Sequence, residues 1–367
     1  MDKRLDSLDA LRGFDMFFIT GGSTLLAALG FLITGDAHSW IAVQMTHATW
    51  TEPLRIYDFI FPLFLFIAGV TFPFSTEKRL ARGDGKRVVT LNILRRTLIL
   101  IVIGLFCAQV QRFDWPHFRV WSVVGRIGIA WGAAAMLTLH CRFRTCVAIT
   151  AALLIGWWLL LRLVPSPDAV GPDTMAVREN CFAIWFDTHY LTTAHRHEGG
   201  LATIAMVPTA FFGIWAGMWL KFRREGLSAD RKVLQMIGTG VLMMLIAWGW
   251  ARMPFGMPVQ KGIWSSSYAI LAGGISLVLL AVFHWVIDVK GYKAWSFYFR
   301  VIGMNAITIY FVQRFVSFKQ MGNFFLGALP QAFAVPGWTP FVEEFGRCLF
   351  AWLFLYFLYR NKLFFKV

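Results

Sequence analysis

Residues 46–70 read THATWTEPLRIYDFIFPLFLFIAGV, so polar side chains directly precede a long apolar run. The candidates for chemistry are His47, Trp50, Glu52 and Asp58. Because Pro53 prevents one continuous helix from joining His47 to Asp58, His47 is expected on a turn that folds over the start of the Asp58 helix. A carboxylate that holds one imidazole nitrogen leaves the other to act as base or nucleophile. We therefore predict a catalytic His47–Asp58 pair, and the alternative is a loop histidine without a catalytic part.

Ionisable residues also occur within the apolar stretches: Asp15, Arg126, His284, Asp288 and Arg300. Each costs on the order of 2.5–3.5 kcal/mol to insert into a membrane, so such residues indicate a functional site or a pair that fixes helix register. Arg126 is expected to pair with an acid, and Asp15 is the nearest candidate by depth. Asp288 and Arg300 lie near the inner boundary, where snorkelling is sufficient.

Two short motifs give weaker indications. The segment HRHEGG at 195–200 holds His195 and His197, but no third ligand follows at a metal-site spacing, so no metal is expected. Gly21 and Gly22 in FITGGS lack the lysine of a phosphate-binding loop, and small residues in a span usually permit close helix packing. Gly21, Gly22 and Arg126 are nevertheless candidate contacts for a cofactor.

Composition indicates a membrane protein. The 367 residues are 57% hydrophobic and 15% charged, with a net charge of +15, whereas soluble domains carry about 25% charged residues. The mean hydropathy is +0.59. A nucleic-acid-binding protein needs its basic residues on one water-exposed face, but here they form short clusters between apolar runs. Nucleic-acid binding is therefore excluded.

The apolar runs predict an all-α polytopic fold of about ten transmembrane helices in a single domain over residues 1–367. Alternate loops carry most of the Lys and Arg residues, which predicts that both termini are cytoplasmic and that residues 165–200 are outside. The predicted spans are 11–34, 57–75, 92–110, 121–139, 146–164, 201–220, 233–251, 264–287, 297–316 and 341–358.

Seven segments, in order, resemble the heparan-alpha-glucosaminide N-acetyltransferase family and its bacterial relatives within the wider transmembrane acyltransferases. They are RLDSLDALRGFDM, HATW…YDFIFPLFLFIAGVTFPFS, VVGRIGIAW, HEGGLATIAMVPTAFFGIWAG, PVQKGIWSSSYAIL, VIDVKG and GMNAITIY. The resemblance extends from about residue 4 to residue 316. It implies transfer of acetyl from cytosolic acetyl-CoA to the amino group of a glucosamine on the far side of a membrane.

The resemblance also implies roles for particular residues. The family's motif histidine corresponds to His47 and its aspartate to Asp58, with one extra residue between them here. The family's N-K-N-L-W motif reads QKGIW, so Gln260, Lys261 and Trp264 match it in part. The candidate sugar contacts are Trp50, Glu52, Lys261, Trp264 and Asn305.

We therefore predict a multi-pass acetyltransferase of a bacterial inner membrane, with acetyl-CoA as co-substrate and an amino sugar or glycosaminoglycan fragment as acceptor. His47 either deprotonates the amine or carries the acetyl group itself. The resemblance suggests a homodimer. The alternatives are an O-acetyltransferase of an envelope polysaccharide and a transporter that uses Asp15 and Arg126 in its substrate path.

The loop charges give a test of orientation. A cysteine introduced as Gly83→Cys should react with an impermeant thiol reagent only after the cells are opened, whereas Val170→Cys should react in intact cells. The unsubstituted chain, with its own five cysteines, gives the background. Labelling of Gly83→Cys from outside would contradict the predicted orientation.

Overall fold

The computed structural model describes residues 5–50, 52–109, 121–191, 199–222, 228–332, 335 and 337–365. Backbone contacts divide the chain into two compact units. The first comprises Met1–Ala48, Pro53–Ile60 and Val282–Val367, and the second comprises Thr49–Glu52 and Phe61–Ala281. One catalytic domain over residues 1–367 stays a prediction.

The first unit contains helices from both ends of the chain. They are α1 (Asp6–Phe17), a π-helical turn (Phe18–Gly22), α2 (Ser23–Thr34), α3 (Trp40–Gln44), a 3-10 turn (Ile56–Phe59), a π-helical turn (His284–Val289), α12 (Phe297–Met304), α13 (Ala306–Val312), α14 (Phe318–Leu326), a 3-10 turn (Leu329–Ala332) and α15 (Trp338–Arg360). Within this unit α1 packs against α12, and α14 packs against α15.

The second unit is formed by the middle of the chain. Its helices are α4 (Ile60–Leu80), α5 (Lys86–Gln109), α6 (Val123–His140), α7 (Phe143–Leu163), a 3-10 turn (Arg178–Asn180), α8 (Phe182–Tyr190), α9 (Thr203–Lys221), α10 (Ala229–Arg252) and α11 (Ser266–Phe283). In this unit α6 packs against α5 and α9, and α9 also contacts α7.

The all-α polytopic fold is confirmed. Within the described ranges, eight helical stretches are long and apolar enough to cross a membrane: Asp6–Thr34, Ile56–Leu80, Lys86–Ala108, Val123–His140, Phe143–Leu163, Thr203–Lys221, Ala229–Arg252 and Ser266–Val289. They correspond to the first eight predicted spans. The ninth divides into two short helices at Asn305, and the tenth, α15, carries Glu343, Glu344 and Arg347. The count of ten and the side of each terminus stay predictions.

Large apolar side chains on these helices are exposed. Leu98 of α5 is 61% exposed, and Leu234 and Trp248 of α10 are 69% and 59% exposed. Such surfaces are unfavourable in water but suit lipid, where the backbone polar groups must be satisfied within the helix itself. The chain is therefore an integral multi-pass membrane protein.

Glycines allow the closest helix contacts in the second unit. A Cβ built on Gly213 of α9 would lie 2.1 Å from the carbonyl oxygen of Phe66, and one on Gly69 of α4 would lie 2.5 Å from that of Ala210. Gly217 approaches the carbonyl of Val70 in the same way. Helices in lipid gain stability from this packing because no hydrophobic effect brings them together.

Glycines have the same role in the first unit, and one of them also breaks a helix. A Cβ on Gly13 of α1 would lie 1.7 Å from the carbonyl oxygen of Phe299 on α12, and one on Gly303 would lie 1.9 Å from that of Asp9. Gly21, in the π-helical turn, has a φ of 124°, a conformation that favours glycine. Its predicted part in cofactor binding is not tested by this conformation.

The α4–α9 contact gives a stability test. Gly213→Ala should lower the free energy of unfolding by about 1–3 kcal/mol, because the new methyl group collides with the Phe66 backbone and overpacks the contact. Gly156→Ala on α7 is the matched control, since its Cβ meets nothing within 4 Å. Thermal unfolding in detergent measures both, and equal stability of the two variants would contradict the packing account.

Candidate functional site

His47 and Asp58 are joined in the first unit, as predicted. His47 lies in the loop after α3, and Asp58 lies in the 3-10 turn that leads into α4. His47 Nδ1 is 3.2 Å from Asp58 Oδ1. The Asp58 side chain is fully buried, whereas that of His47 is 40% exposed. A buried carboxylate therefore holds a partly exposed imidazole.

Backbone donors fix the Asp58 carboxylate. Its Oδ2 accepts hydrogen bonds from the N–H of Ala48 at 3.3 Å and from that of Arg55 at 2.9 Å. Hydrogen bonds to the ionised form favour it and orient it. With Nδ1–H donating to Asp58, the lone pair of the imidazole lies on Nε2, the atom suited to accept a proton or to attack a carbonyl.

Arg55 holds the histidine turn itself. Its guanidinium donates to the carbonyl of His47 at 3.1 Å and to the hydroxyl of Thr46. The following N–H, that of Ile56, donates to the side-chain oxygen of Gln44 at 3.1 Å. Sequence reasoning missed Arg55, although its place three residues before Asp58 is that of a helix cap.

Tyr57 connects His47 with the break in the first span. Its ring centroid is 4.8 Å from that of His47, and its phenol hydrogen-bonds to Ser23. Ser23 directly follows the glycine turn. The charges of Asp15, Arg314 and Arg347 also act on this phenol. Tyr57 was not predicted as a site residue, and its only signal was its position beside Asp58.

Asn305 and Asp15 are buried in the first unit with their polar atoms unsatisfied. Asn305 is 1% exposed and lies at the break between α12 and α13. Among the described residues, neither its amide oxygen nor its amide nitrogen has a hydrogen-bond partner, and the same holds for both carboxylate oxygens of Asp15. The pairing of Asp15 with Arg126, which belongs to the second unit, stays a prediction, and so does the sugar contact of Asn305.

Trp50 and Glu52 lie in the second unit and have local partners. The indole N–H of Trp50 donates to the carbonyl of Met175 at 3.2 Å, and the carbonyl of Trp50 accepts from the side-chain amide of Gln260 at 2.6 Å. Glu52 accepts from the N–H of Thr49 at 2.9 Å. The motif tryptophan thus ties two loops together, and both predicted sugar contacts stay predictions.

Trp264 is fully buried and has a left-handed backbone, with a φ of 47°. Its indole N–H donates to Thr209 at 3.3 Å, and its ring packs edge-on against Phe61 and Tyr268. A residue other than glycine at positive φ is strained and needs surrounding structure to hold it. Trp264 therefore positions the turn that carries the half-buried Lys261, and both sugar contacts stay predictions.

Within the second unit, Arg126 lies close enough to Asp187 for its charge to act on that carboxyl group. Arg126 is 4% exposed, and its guanidinium carbon is 5.4 Å from the centre of the Phe61 ring. Burial raises the pKa of Asp187 above its ordinary value, and the N–H of Leu201 and the charge of Arg126 oppose that rise. Leu201 N–H donates to Asp187 at 2.8 Å. Sequence reasoning did not identify Asp187, because it lies on α8, outside the predicted spans.

The expectation that no metal binds concerns the segment HRHEGG at residues 195–200, which is described only in part. His195 and His197 lie outside the described residues. Within the described ranges no group of three or more His, Cys, Asp and Glu residues is arranged to hold a metal ion.

The Arg126–Asp187 contact gives a pH-dependent prediction. Arg126→Gln removes the cation that lowers the pKa of Asp187, so that pKa rises further. A raised folded-state pKa destabilises the protein at pH values above it, where the carboxylate is charged, and not below the unfolded value. Thermal unfolding should therefore show a larger loss at pH 8 than at pH 4, and Arg162→Gln, whose partner Asp173 is exposed, is the control. An equal loss at both pH values would contradict the contact.

Comparison with known proteins extends the resemblance along the chain. The chain is 26% identical to heparan-alpha-glucosaminide N-acetyltransferase from Homo sapiens over 427 aligned residues, which cover 99% of this chain and 60% of the human protein. It is 23% identical to the Mus musculus protein of the same name, over 100% of this chain and 62% of that protein. The chain thus spans less than two thirds of these relatives, and no family model matches it. The chain is therefore similar, along essentially the whole of its length, to the heparan-alpha-glucosaminide N-acetyltransferases of Homo sapiens and Mus musculus.

Proposed function

We propose that this chain transfers acetyl from acetyl-CoA to the amino group of a glucosamine-type sugar. The observation that carries the proposal is the 3.2 Å contact between His47 Nδ1 and the buried carboxylate of Asp58. The names of the relatives, N-acetyltransferases of heparan glucosamine, support the same reaction class.

The chemistry requires a base at the acceptor. The nitrogen lone pair of the sugar amine attacks the thioester carbonyl, a C–N bond forms, and the C–S bond breaks. His47 Nε2 takes the proton that the amine loses and passes a proton to the departing thiolate, so the products are an acetamide and coenzyme A. Positioned proton transfer of this kind contributes about 10²–10⁴-fold to a rate.

A second route uses the same residues. His47 Nε2 attacks the thioester carbonyl first, the C–S bond breaks, and the thiolate of coenzyme A leaves while the imidazole carries the acetyl group. The amine then attacks that acetyl group, the bond to Nε2 breaks, and the proton that the amine loses neutralises the thiolate. In both routes Asp58 keeps Nδ1 protonated and Nε2 basic, and it stabilises the positive charge that develops on the ring. Acetyl-CoA bound from the cytosolic side is compatible with either route, because the pantetheine arm of coenzyme A is long and thin enough to extend along a helix bundle.

The setting is also part of the proposal. A bacterial inner membrane would supply acetyl-CoA on one face and an amino sugar on the other. Basic loops between the spans suit the phosphates of coenzyme A, and a homodimer is proposed from the family resemblance alone.

Purified protein, labelled acetyl-CoA and glucosamine test the assignment. His47→Ala should lose at least 10²-fold in turnover, whereas His38→Ala, an exposed histidine of the preceding loop, should retain wild-type turnover. Asp58→Asn should give a smaller loss, because its single amide oxygen can accept from the two backbone N–H groups or from His47 Nδ1 but not from both sides. The folded fraction of this variant is measured in parallel. Near-wild-type turnover by His47→Ala would overturn the site assignment.

Two further readouts separate the alternatives. Sugars with hydroxyl groups but no amine should release no coenzyme A, and release with them would favour an O-acetyltransferase. Mass spectrometry after exposure to acetyl-CoA alone distinguishes the two routes, because an acetyl group on His47 requires the covalent one.

A further inference from the structure

Three polar side chains of the first unit hold buried groups that have no hydrogen-bond partner among the described residues. They are the carboxyl group of Asp15 on α1, the side-chain amide of Asn305 and the hydroxyl of Thr308 on α13. Asp15 is 0% exposed and Asn305 is 1% exposed. Thr308 follows Asn305 by three residues, so both lie on one side of the helix. Unsatisfied groups of this kind are rare in native proteins, and each needs an explanation such as a ligand.

The packing of α1 against α12 brings Asp15 and Asn305 to the same level of the first unit. At one end, the first residue of α1 pairs with Lys293, which precedes α12, at 2.8 Å. In the middle, a Cβ on Gly13 would lie 2.9 Å from the backbone nitrogen of Gly303. At the other end, α13 contacts both α1 and the π-helical turn that follows α1. The two segments therefore run in the same direction, and Asp15 and Asn305 each lie two residues beyond the glycine contact.

His47 lies further along the same unit. Ser23, eight residues after Asp15, hydrogen-bonds to the phenol of Tyr57, and the ring of Tyr57 lies 4.8 Å from that of His47. Asp15 is near enough to that phenol to interact with it electrostatically. At 1.5 Å per helical residue, about 12 Å of helix separates Asp15 from Ser23. A ligand that enters at the beginning of α1 and reaches His47 therefore passes the level of Asp15 and Asn305.

The unsatisfied groups suit a neutral ligand that carries amide and hydroxyl groups. Among the described residues no cation pairs with Asp15, and a buried charge without an opposite charge beside it is too costly to keep. The neutral acid fits this position, because it donates through its O–H and accepts through its carbonyl oxygen. The amide of Asn305 likewise donates and accepts. A ligand amide, with one N–H and one C=O, is complementary to both side chains, whereas a phosphate would find no cation here.

We propose that Asp15, as the neutral acid, and Asn305 bind the distal amide and the hydroxyl of the pantetheine arm of acetyl-CoA. The inference rests on the proposed acetyl transfer, and it assigns Asn305 to the donor rather than to the sugar. The distal amide nitrogen is seven bonds from the thioester sulfur, about 8–9 Å in an extended chain. An arm whose sulfur lies at His47 therefore has its distal amide and hydroxyl near the level of Asp15. The beginning of α1 lies on the side that the charge bias assigns to the cytosol, where acetyl-CoA is present.

Three thioester donors of decreasing length test the assignment. They are acetyl-CoA, S-acetylpantetheine and S-acetyl-N-acetylcysteamine, of which the last keeps only the amide nearest the sulfur. Asp15→Ala and Asn305→Ala should each raise KM for the two longer donors by about fivefold, the loss expected for one hydrogen bond. Neither should change KM for the shortest donor. An equal rise for all three donors would indicate a general distortion of the site and would overturn the assignment.

Two further substitutions make the test specific. Asp15→Asn keeps the shape and both hydrogen-bonding functions of the neutral acid, so its KM for acetyl-CoA should equal that of the wild type. A loss as large as that of Asp15→Ala would show that a charged carboxylate is required, and it would overturn the proposal. Thr20→Val is the matched control, because it removes a buried hydroxyl of the same span that already donates to the carbonyl of Met16 at 3.0 Å. Its KM values should stay at those of the wild type.

Equilibrium binding separates this assignment from the proposed function. Coenzyme A is titrated into the purified protein in detergent without an acceptor, and calorimetry should show about fivefold weaker binding to Asp15→Ala and unchanged binding to Thr20→Val. Weaker binding to Asp15→Ala by a protein that acetylates no amino sugar would refute the proposed function and leave this assignment standing. Acetylation of an amino sugar together with unchanged affinity for coenzyme A in both alanine variants would refute this assignment and leave the proposed function standing.

Discussion

The Asp58 carboxylate is the constraint on which the candidate site depends. A buried carboxylate is costly unless its oxygens are satisfied, and here His47, Ala48 and Arg55 supply the donors. Meeting that requirement draws the loop after α3 onto the turn that begins the second span. The position of the imidazole is therefore a consequence of satisfying one buried acid, and Arg55 strengthens it by holding the carbonyl of the histidine.

Lipid imposes a second constraint on the helices around the site. Apolar side chains such as Leu98 and Leu234 face outward, so burial of apolar surface cannot hold the helices together as it does in water. Close approach of backbones at Gly13 and Gly303, and at Gly69 and Gly213, takes that role. The first span is interrupted at Gly21 and the ninth predicted span at Asn305. Each interruption places polar groups inside the first unit.

The loop between α7 and α9 shows how a segment outside the spans acquires order. Asn180 closes the loop on itself, and Asp187 connects α8 to the start of α9 through Leu201. Arg126 and Trp50, which the motifs identify as site residues, contact this loop. In the described residues, Trp50 and Arg126 connect this loop to other segments of the second unit. Their predicted contacts with ligands stay predictions.

The sequence alone determined the fold class, the first eight spans and the His47–Asp58 pair, because apolar length and the polar residues of one short loop are local properties. It did not determine that Asp187, in a loop outside the spans, lies near Arg126, because depth along a helix says nothing about which segments are neighbours. The burial of Trp264 and the contact of Tyr57 with His47 were equally inaccessible. Each depends on side chains from distant segments filling one volume, and only the tertiary packing decides how that volume is filled.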